Sequence, residues 1–208
     1  MSQRAPSKPI DETSTPSLTL ASVRDLGRAE QAVRDLLLAL GVDLDDPNMR
    51  ETPRRVAQMY DELLTPEPFN ATTFHNVDDY DELVLVRDIP FATLCAHHLL
   101  PFHGVAHVGY LPGDRIVGLS KLARIVNYFA RSLQVQERLT KQIADWLKEE
   151  LNPKGVGVVL EAEHQCMAMR GVQAAGTKTV TSTMYGLLRE NPASREEFLT
   201  FAATRVRA

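Results

Sequence analysis

Both cysteines of this 208-residue chain, and three of its six histidines, fall in two short stretches, Cys95-Ala96-His97-His98 and His164-Gln165-Cys166. Together Cys95, His98 and Cys166 offer a metal ion two thiolates and one imidazole. A structural zinc site normally has four protein ligands, whereas a catalytic one has three and keeps a position for water. With no third cysteine available, the pattern favours the open kind. Other readings stay open: two cysteines could form a disulfide, and Cys166 could be an ordinary buried thiol. Against the disulfide, the chain shows no secretory signal and is long enough to bury a core without staples. A lone Cys-x-x-His pair is a weak signal, and a second cysteine flanked by histidine strengthens it.

Composition narrows the class. A content of 44% hydrophobic residues in this length suits one globular domain with a small N-terminal addition. A net charge of −4 argues against a general nucleic-acid binder, which shows a basic footprint. No apolar run approaches the roughly 20 residues needed to span a bilayer. The first residues lack the order of an export signal, and sparse cysteines suit a reducing cytoplasm.

The elements that must position the two stretches can be read in order. Residues 1–20 are rich in Ser, Thr and Pro without apolar periodicity, which predicts a disordered arm. Residues 21–81 read as a helical pair and a connecting loop. Ser22 is the expected cap of the first helix, whose stripe is Val23, Leu26, Val33, Leu36, Leu37 and Leu40, with Gly41 past its end. Thr52-Pro53 opens the second, with Val56, Met59, Tyr60 and Leu63 inward, and Pro66 and Pro68 end it. Residues 65–81 carry little pattern and are expected to be loop.

Residues 82–208 then read as the main domain, which holds both cysteine stretches. Strands are predicted at 82–89, continuing past Pro90 toward Cys95, and at 104–111, followed by a Pro112-Gly113-Asp114 turn. Ser120 is the expected cap of a helix with stripe Leu122, Ile125, Val126 and Phe129. The next helix covers 135–151, with Leu139, Ile143, Trp146, Leu147 and Leu151 inward. Strands return at 155–163 and 177–188, and Ser194-Arg-Glu-Glu197 reads as a capping box. The order strand, strand, helix, helix, strand, strand implies an antiparallel four-stranded sheet with helices on one face, an α+β fold. The β-rich edge at 177–188 would lie exposed unless another subunit pairs with it, which predicts a closed oligomer.

Several motifs in this order resemble one family. They are Glu51-Thr-Pro-Arg-Arg55, Cys95-x-His97-His98, Gly118-Leu-Ser-Lys-Leu-Ala-Arg124-Ile-Val, Gln134-Val-Gln136-Glu137-Arg-Leu-Thr, His164-x-Cys166, Met169-Arg170-Gly171 and Thr177-Lys-Thr-Val-Thr-Ser-Thr. From about Ala21 onward the chain resembles GTP cyclohydrolase I, of the tunnelling-fold (T-fold) superfamily. The resemblance implies the ββααββ T-fold, assembled as a closed barrel in a homodecamer with active sites shared between subunits. It implies GTP as substrate, opened at its guanine imidazole ring with release of C8 as formate, and rearranged to 7,8-dihydroneopterin triphosphate for pterin and tetrahydrofolate synthesis.

By the same resemblance Cys95, His98 and Cys166 hold Zn2+, which agrees with the ligand count reached from the residues. His97 and His164 match catalytic histidines, imidazole suiting proton transfer near neutral pH; for His164 a phosphate contact is the alternative reading, and Ser120 is a candidate to assist at the ribose as well as a helix cap. Glu137, with Gln136 beside it, matches the carboxylate that accepts the two guanine N–H donors. Lys121, Arg124 and Arg170 match positions that contact the triphosphate, with Arg55 reaching in from a neighbouring subunit. Arginine forks suit phosphate oxygens. On sequence alone Glu137 is a charge favourable at a helix start, and Lys121 and Arg124 are ordinary solvated helix residues. His75, His103 and His107 match nothing and are read as structural.

Two positions depart from the family pattern. Ala96 stands where a glutamate is usual, which motivates an alternative: a variant that stalls after C8 hydrolysis, or a catalytically impaired structural homologue. Gln58 stands where some members carry a phosphate-binding lysine.

Overall fold

The structure is a computed structural model that describes residues 24–203. The expected arm 1–20, Ser22 and Val23 lie outside the described residues. Helix α1 (Leu26–Ala39) is capped by Asp25, whose carboxylate accepts from the Arg28 N–H at 2.9 Å. The expected Ser22 cap is therefore corrected: Asp25 does the same work beside the positive end of the helix dipole. Helix α2 (Thr52–Leu64) starts one residue earlier than expected, with Pro53 in its first turn. Arg24 ties the pair together through the Asp61 carboxylate at 2.7 Å. Only Pro53 and Ala57 of this hairpin's helices are buried, while Leu36 and Leu38 of α1 and its C-cap Leu40 stay exposed. The predicted α1 stripe exists, but a single chain leaves much of it uncovered.

The segment read as loop contains a strand, β1 (Thr73–His75). The long hairpin follows as β2 (Val84–Cys95) and β3 (Pro101–Leu111), and then β4 (Arg115–Val117) pairs antiparallel with β1. Three-residue strands are too short to show a period of two, which is why they escape a sequence reading. Next come α3 (Leu119–Ala130), β5 (Leu133–Gln134), α4 (Gln136–Leu151) and β6 (Gly155–His164). The chain closes with α5 (Gln165–Ala168), β7 (Lys178–Gly186), α6 (Leu187–Glu190) and α7 (Pro192–Ala203).

The main sheet has five strands in the order β5-β2-β3-β6-β7, not four. Four are antiparallel neighbours, as expected, and β5 adds a short parallel pairing to β2. Alternate residues of the central strands, including Phe91, Phe102, Val108, Val158 and Leu160, pack against Leu122 and Ile125 of α3 and Leu139, Ile143 and Leu147 of α4. Burying each such side chain contributes about 1.5–3 kcal/mol, so the predicted stripes of α3 and α4 form the core.

The expectation that helices cover one face needs correcting at one end. Gly109, Leu111 and Gly157 belong to the opposite face by strand alternation, and there α7 seats the fully buried Phe198. The two glycines make that seat: a Cβ at Gly157 would stand 2.9 Å from the Phe198 ring. Helix α7 is capped by Asn191, whose Oδ1 accepts from the Ala193 and Ser194 amides, rather than by Ser194. Strand β7 stops at Gly186 (φ 55°), two residues before the expected end. Among the described residues its outer edge has no strand partner.

Candidate metal centre and active site

Sheet topology explains how residues so far apart meet. Strands β2 and β6 both run antiparallel to β3, so they are parallel to each other and end on the same side. Cys95 is the last residue of β2, and Cys166 lies in the turn of helix that follows β6. Strand β5 pairs Gln134 with Cys95, which delivers the start of α4, Gln136 and Glu137, to that same end. The short strand missing from the sequence reading is thus what places α4 beside the cysteines.

The loop after Cys95 is held by backbone. Its N–H donates to the Leu100 carbonyl at 2.8 Å, its carbonyl accepts from Leu99 N–H at 2.9 Å, and the Ala96 N–H donates to the Gln134 carbonyl at 2.8 Å. Leu99 takes a positive φ of 55° to complete the turn. This brings His98 Nδ1 to 3.8 Å from Cys95 Sγ, while Cys166 Sγ lies 4.0 Å from Cys95 Sγ. Donor atoms of all three lie within 4.8 Å of one another, and no fourth His, Cys, Asp or Glu among the described residues joins them.

The residues fit a metal. Two sulfurs each about 2.3 Å from a tetrahedral zinc stand roughly 3.8 Å apart, close to the separation seen. Both cysteines are buried and unbridged. Burial and then the adjacent Cys95 push the Cys166 thiol up, and a nearby cation favours its thiolate. The donor set, two thiolates and an imidazole, suits a borderline-soft ion.

Around this group the structure places the remaining candidates unequally. His97 is exposed, with Nδ1 3.9 Å from Cys95 Sγ. His164, half-buried, stacks on Phe102 of the neighbouring strand with centroids 4.3 Å apart and planes at 8°. Burial holds its pKa below the ordinary value, opposed by the charge of Glu137. Glu137 itself is exposed in the first turn of α4. Gln136 differs from the expected substrate-facing group. It is 2% exposed, and its carboxamide is taken up by His164 and by strands β6 and β7.

Ser120 is not the cap of α3: that position is Gly118, and Ser120 lies exposed in the first turn. Lys121 and Arg124 follow on the same helix, and Arg55 lies exposed on α2. Their side chains make no hydrogen bond or ion pair among the described residues. Arg170 is close enough to Cys166 for its charge to be felt by the thiol. Gln58 is exposed and accepts from Arg54 at 3.2 Å. Ala96 is exposed, and the loop uses its backbone rather than its side chain. His107 is buried on the far face, where its Nδ1 accepts from the Asp88 N–H at a bulge in β2. Sequence reasoning missed Phe102, the platform under His164, and Tyr60, whose hydroxyl donates to the Leu99 carbonyl at 3.3 Å. An aromatic residue beside Pro101 was the available signal for the first.

Among the described residues the three grouped donors have no fourth, the donor pattern of a mononuclear site that leaves one coordination position to solvent or substrate. Sequence comparison makes this specific. Residues 29–203 match the family described as GTP cyclohydrolase I. The protein named GTP cyclohydrolase 1 of Mycolicibacterium paratuberculosis is 52% identical over 193 residues, covering 89% of this chain and 95% of that one. Its namesake in Mycobacterium tuberculosis (strain ATCC 25618 / H37Rv) is 54% identical over 182 residues, covering 85% and 90%. That of Sulfurihydrogenibium sp. is 51% identical over 177 residues, covering 85% and 95%. The chain belongs to the GTP cyclohydrolase I family.

Proposed function

We propose that this chain catalyses the reaction implied by its family: hydrolytic opening of the guanine imidazole ring of GTP, loss of C8 as formate, and rearrangement to 7,8-dihydroneopterin triphosphate. The observation that carries this reading is the Cys95–His98–Cys166 group, three donors with no fourth among the described residues. Their two sulfurs and one nitrogen suit zinc. Such an ion, when bound, supplies a nucleophile at neutral pH by lowering the pKa of water to about 7.

The chain's own residues do the rest. His97 and His164 transfer protons at the purine N7 and the ribose ring oxygen, and Ser120 assists at the ribose. Glu137 accepts the guanine N1–H and N2–H side by side, the paired geometry a carboxylate offers. Lys121, Arg124 and Arg170 meet the triphosphate, joined by Arg55 of a neighbouring subunit. That they make no ion pair among the described residues supports this assignment, because such cations are available to an anion. Gln136 leaves the substrate-binding set and acts through His164 instead. The exposed Ala96 gives no support to a stalled or inactive variant.

The unpaired outer edge of β7 supports a homo-oligomer, and the family resemblance extends that to a decamer. No helix among the described residues is long and apolar enough to cross a membrane. Free buried thiols suit the cytoplasm. The test is turnover of GTP by zinc-loaded protein, following formate and, after oxidation, fluorescent neopterin phosphate. Both are expected in equal amounts and both should vanish when a chelator strips the metal. Absence of formate, or activity surviving complete metal removal, would overturn the proposal.

A further inference from the structure

Gln136 is buried at the first position of α4, its carboxamide set into the seam between β6 and β7. The oxygen and nitrogen of a carboxamide look alike in shape, so partners must decide which is which. One end lies 3.2 Å from the Leu160 carbonyl oxygen, 2.9 Å from the Thr179 carbonyl oxygen and 3.2 Å from Thr181 Oγ1. Backbone carbonyls only accept, so that end is the NH2. The other end is therefore Oε1, and it lies 2.8 Å from His164 Nε2. An oxygen of this kind cannot donate, so His164 Nε2 carries a hydrogen. A neutral imidazole has one N–H, which leaves the lone pair on Nδ1.

Two threonines close the arrangement. Thr140 Oγ1 is 2.7 Å from the Gln136 backbone carbonyl and 2.6 Å from Thr181 Oγ1. The carbonyl takes the Thr140 proton, so Thr181 donates to Thr140 and keeps lone pairs for the Gln136 amide. Phe102 fixes the plane of the His164 ring from one side. Within that plane only one of the two flips works, because the other sets a carbon, Cε1, against Gln136 Oε1.

We propose that Gln136 is a positioning residue that fixes the tautomer and orientation of His164, so that Nδ1 alone faces the reacting molecule. This deepens, and rests on, the reading of His164 as a proton-transfer group. Glutamine suits the position because it joins a donor end for the strand carbonyls to an acceptor end for the imidazole. Glutamate lacks the donor, and an apolar residue lacks both.

The tautomer is read directly by 15N NMR of histidine-labelled, zinc-loaded full-length protein, without substrate, at a pH where the ring is neutral. Wild-type His164 is expected to show a protonated Nε2 and an unprotonated Nδ1; the reverse pattern overturns the proposal, whatever any variant does. In Gln136→Met a mixture of tautomers is expected, with kcat for formate release down about 10–100-fold and KM for GTP within about threefold. Thr181→Val keeps both strand carbonyls, so the single tautomer should persist and kcat change by less than about threefold. A Gln136→Met protein that loses melting temperature but keeps one tautomer and full kcat would make Gln136 structural only. Wild-type turnover tests the catalytic reading separately, so the two can fail independently.

Discussion

The Cys95–His98–Cys166 corner and the cations proposed to meet the triphosphate are built to very different degrees within one chain. Cys95, His98 and Cys166 are brought within 4.8 Å by backbone pairing, and His164 is clamped by a ring and a carboxamide. Lys121, Arg124 and Arg55 instead stand on helix surfaces with no charge or hydrogen-bond partner among the described residues. The difference follows from cost. Buried thiols and amides are expensive unless their geometry is complete, so the sheet that buries them must also finish it. Solvated cations cost little while unpaired, so nothing in the fold has to complete their contacts.

That contrast can be broken most sharply at Cys166. Cys166→Ala should lose bound zinc and reduce GTP turnover by more than the 10–100-fold typical of a residue that only supports a ligand, checked by metal analysis and formate release. Full zinc occupancy in this variant would sink the three-donor site. The other side is tested by mixing inactive Arg55→Ala chains with inactive Cys166→Ala chains. If Arg55 enters a neighbour's site, co-refolded mixtures regain turnover, because some sites draw both intact residues. No recovery would place Arg55 in the site of its own chain.

Smaller effects sharpen the same contrast. Arg124→Ala should lower kcat/KM for GTP about 10–100-fold, the worth of one charged hydrogen bond, while zinc content stays unchanged. Ala96→Glu should alter kcat by less than about threefold, since that side chain lies exposed; a large gain in formate release would show that the missing carboxylate matters. His107, outside both regions, gives the smallest effect. Burial, outweighing the charges of Asp88 and Glu161, holds its pKa below the ordinary 6.5, and Arg87 adds to the lowering. The unfolded chain then takes up a proton before the folded one does. Stability is whole above about pH 6.5 and falls as pH drops below it. His107→Gln should flatten that fall in acid-denaturation curves without changing turnover at neutral pH.

Much of the fold was legible because long elements repeat their patterns. Leu139, Ile143, Leu147 and Leu151 announce α4, and each lies in the core as expected. The caps were the poorest reading: Ser22, Ser120 and Ser194 were expected, while Asp25, Gly118 and Asn191 hold the positions before α1, α3 and α7. Serine is only one of several good caps, and the path by which the chain enters a helix decides among them. Phe198 could not be seen as core, since a single aromatic on a polar helix has no period. Its burial depends on two glycines in distant strands.

By itself the sequence determined the donor inventory, because sulfur and imidazole are properties of residue types, and with its ordered motifs it determined the family. Only the tertiary structure decided that Gln136 turns inward to His164 while its neighbour Glu137 stays outside. Adjacent residues of a helix point about 100° apart, and the two-residue strand β5 sets which of them meets the sheet. No local pattern carries that phase, since it is fixed by pairing between segments that meet only after folding.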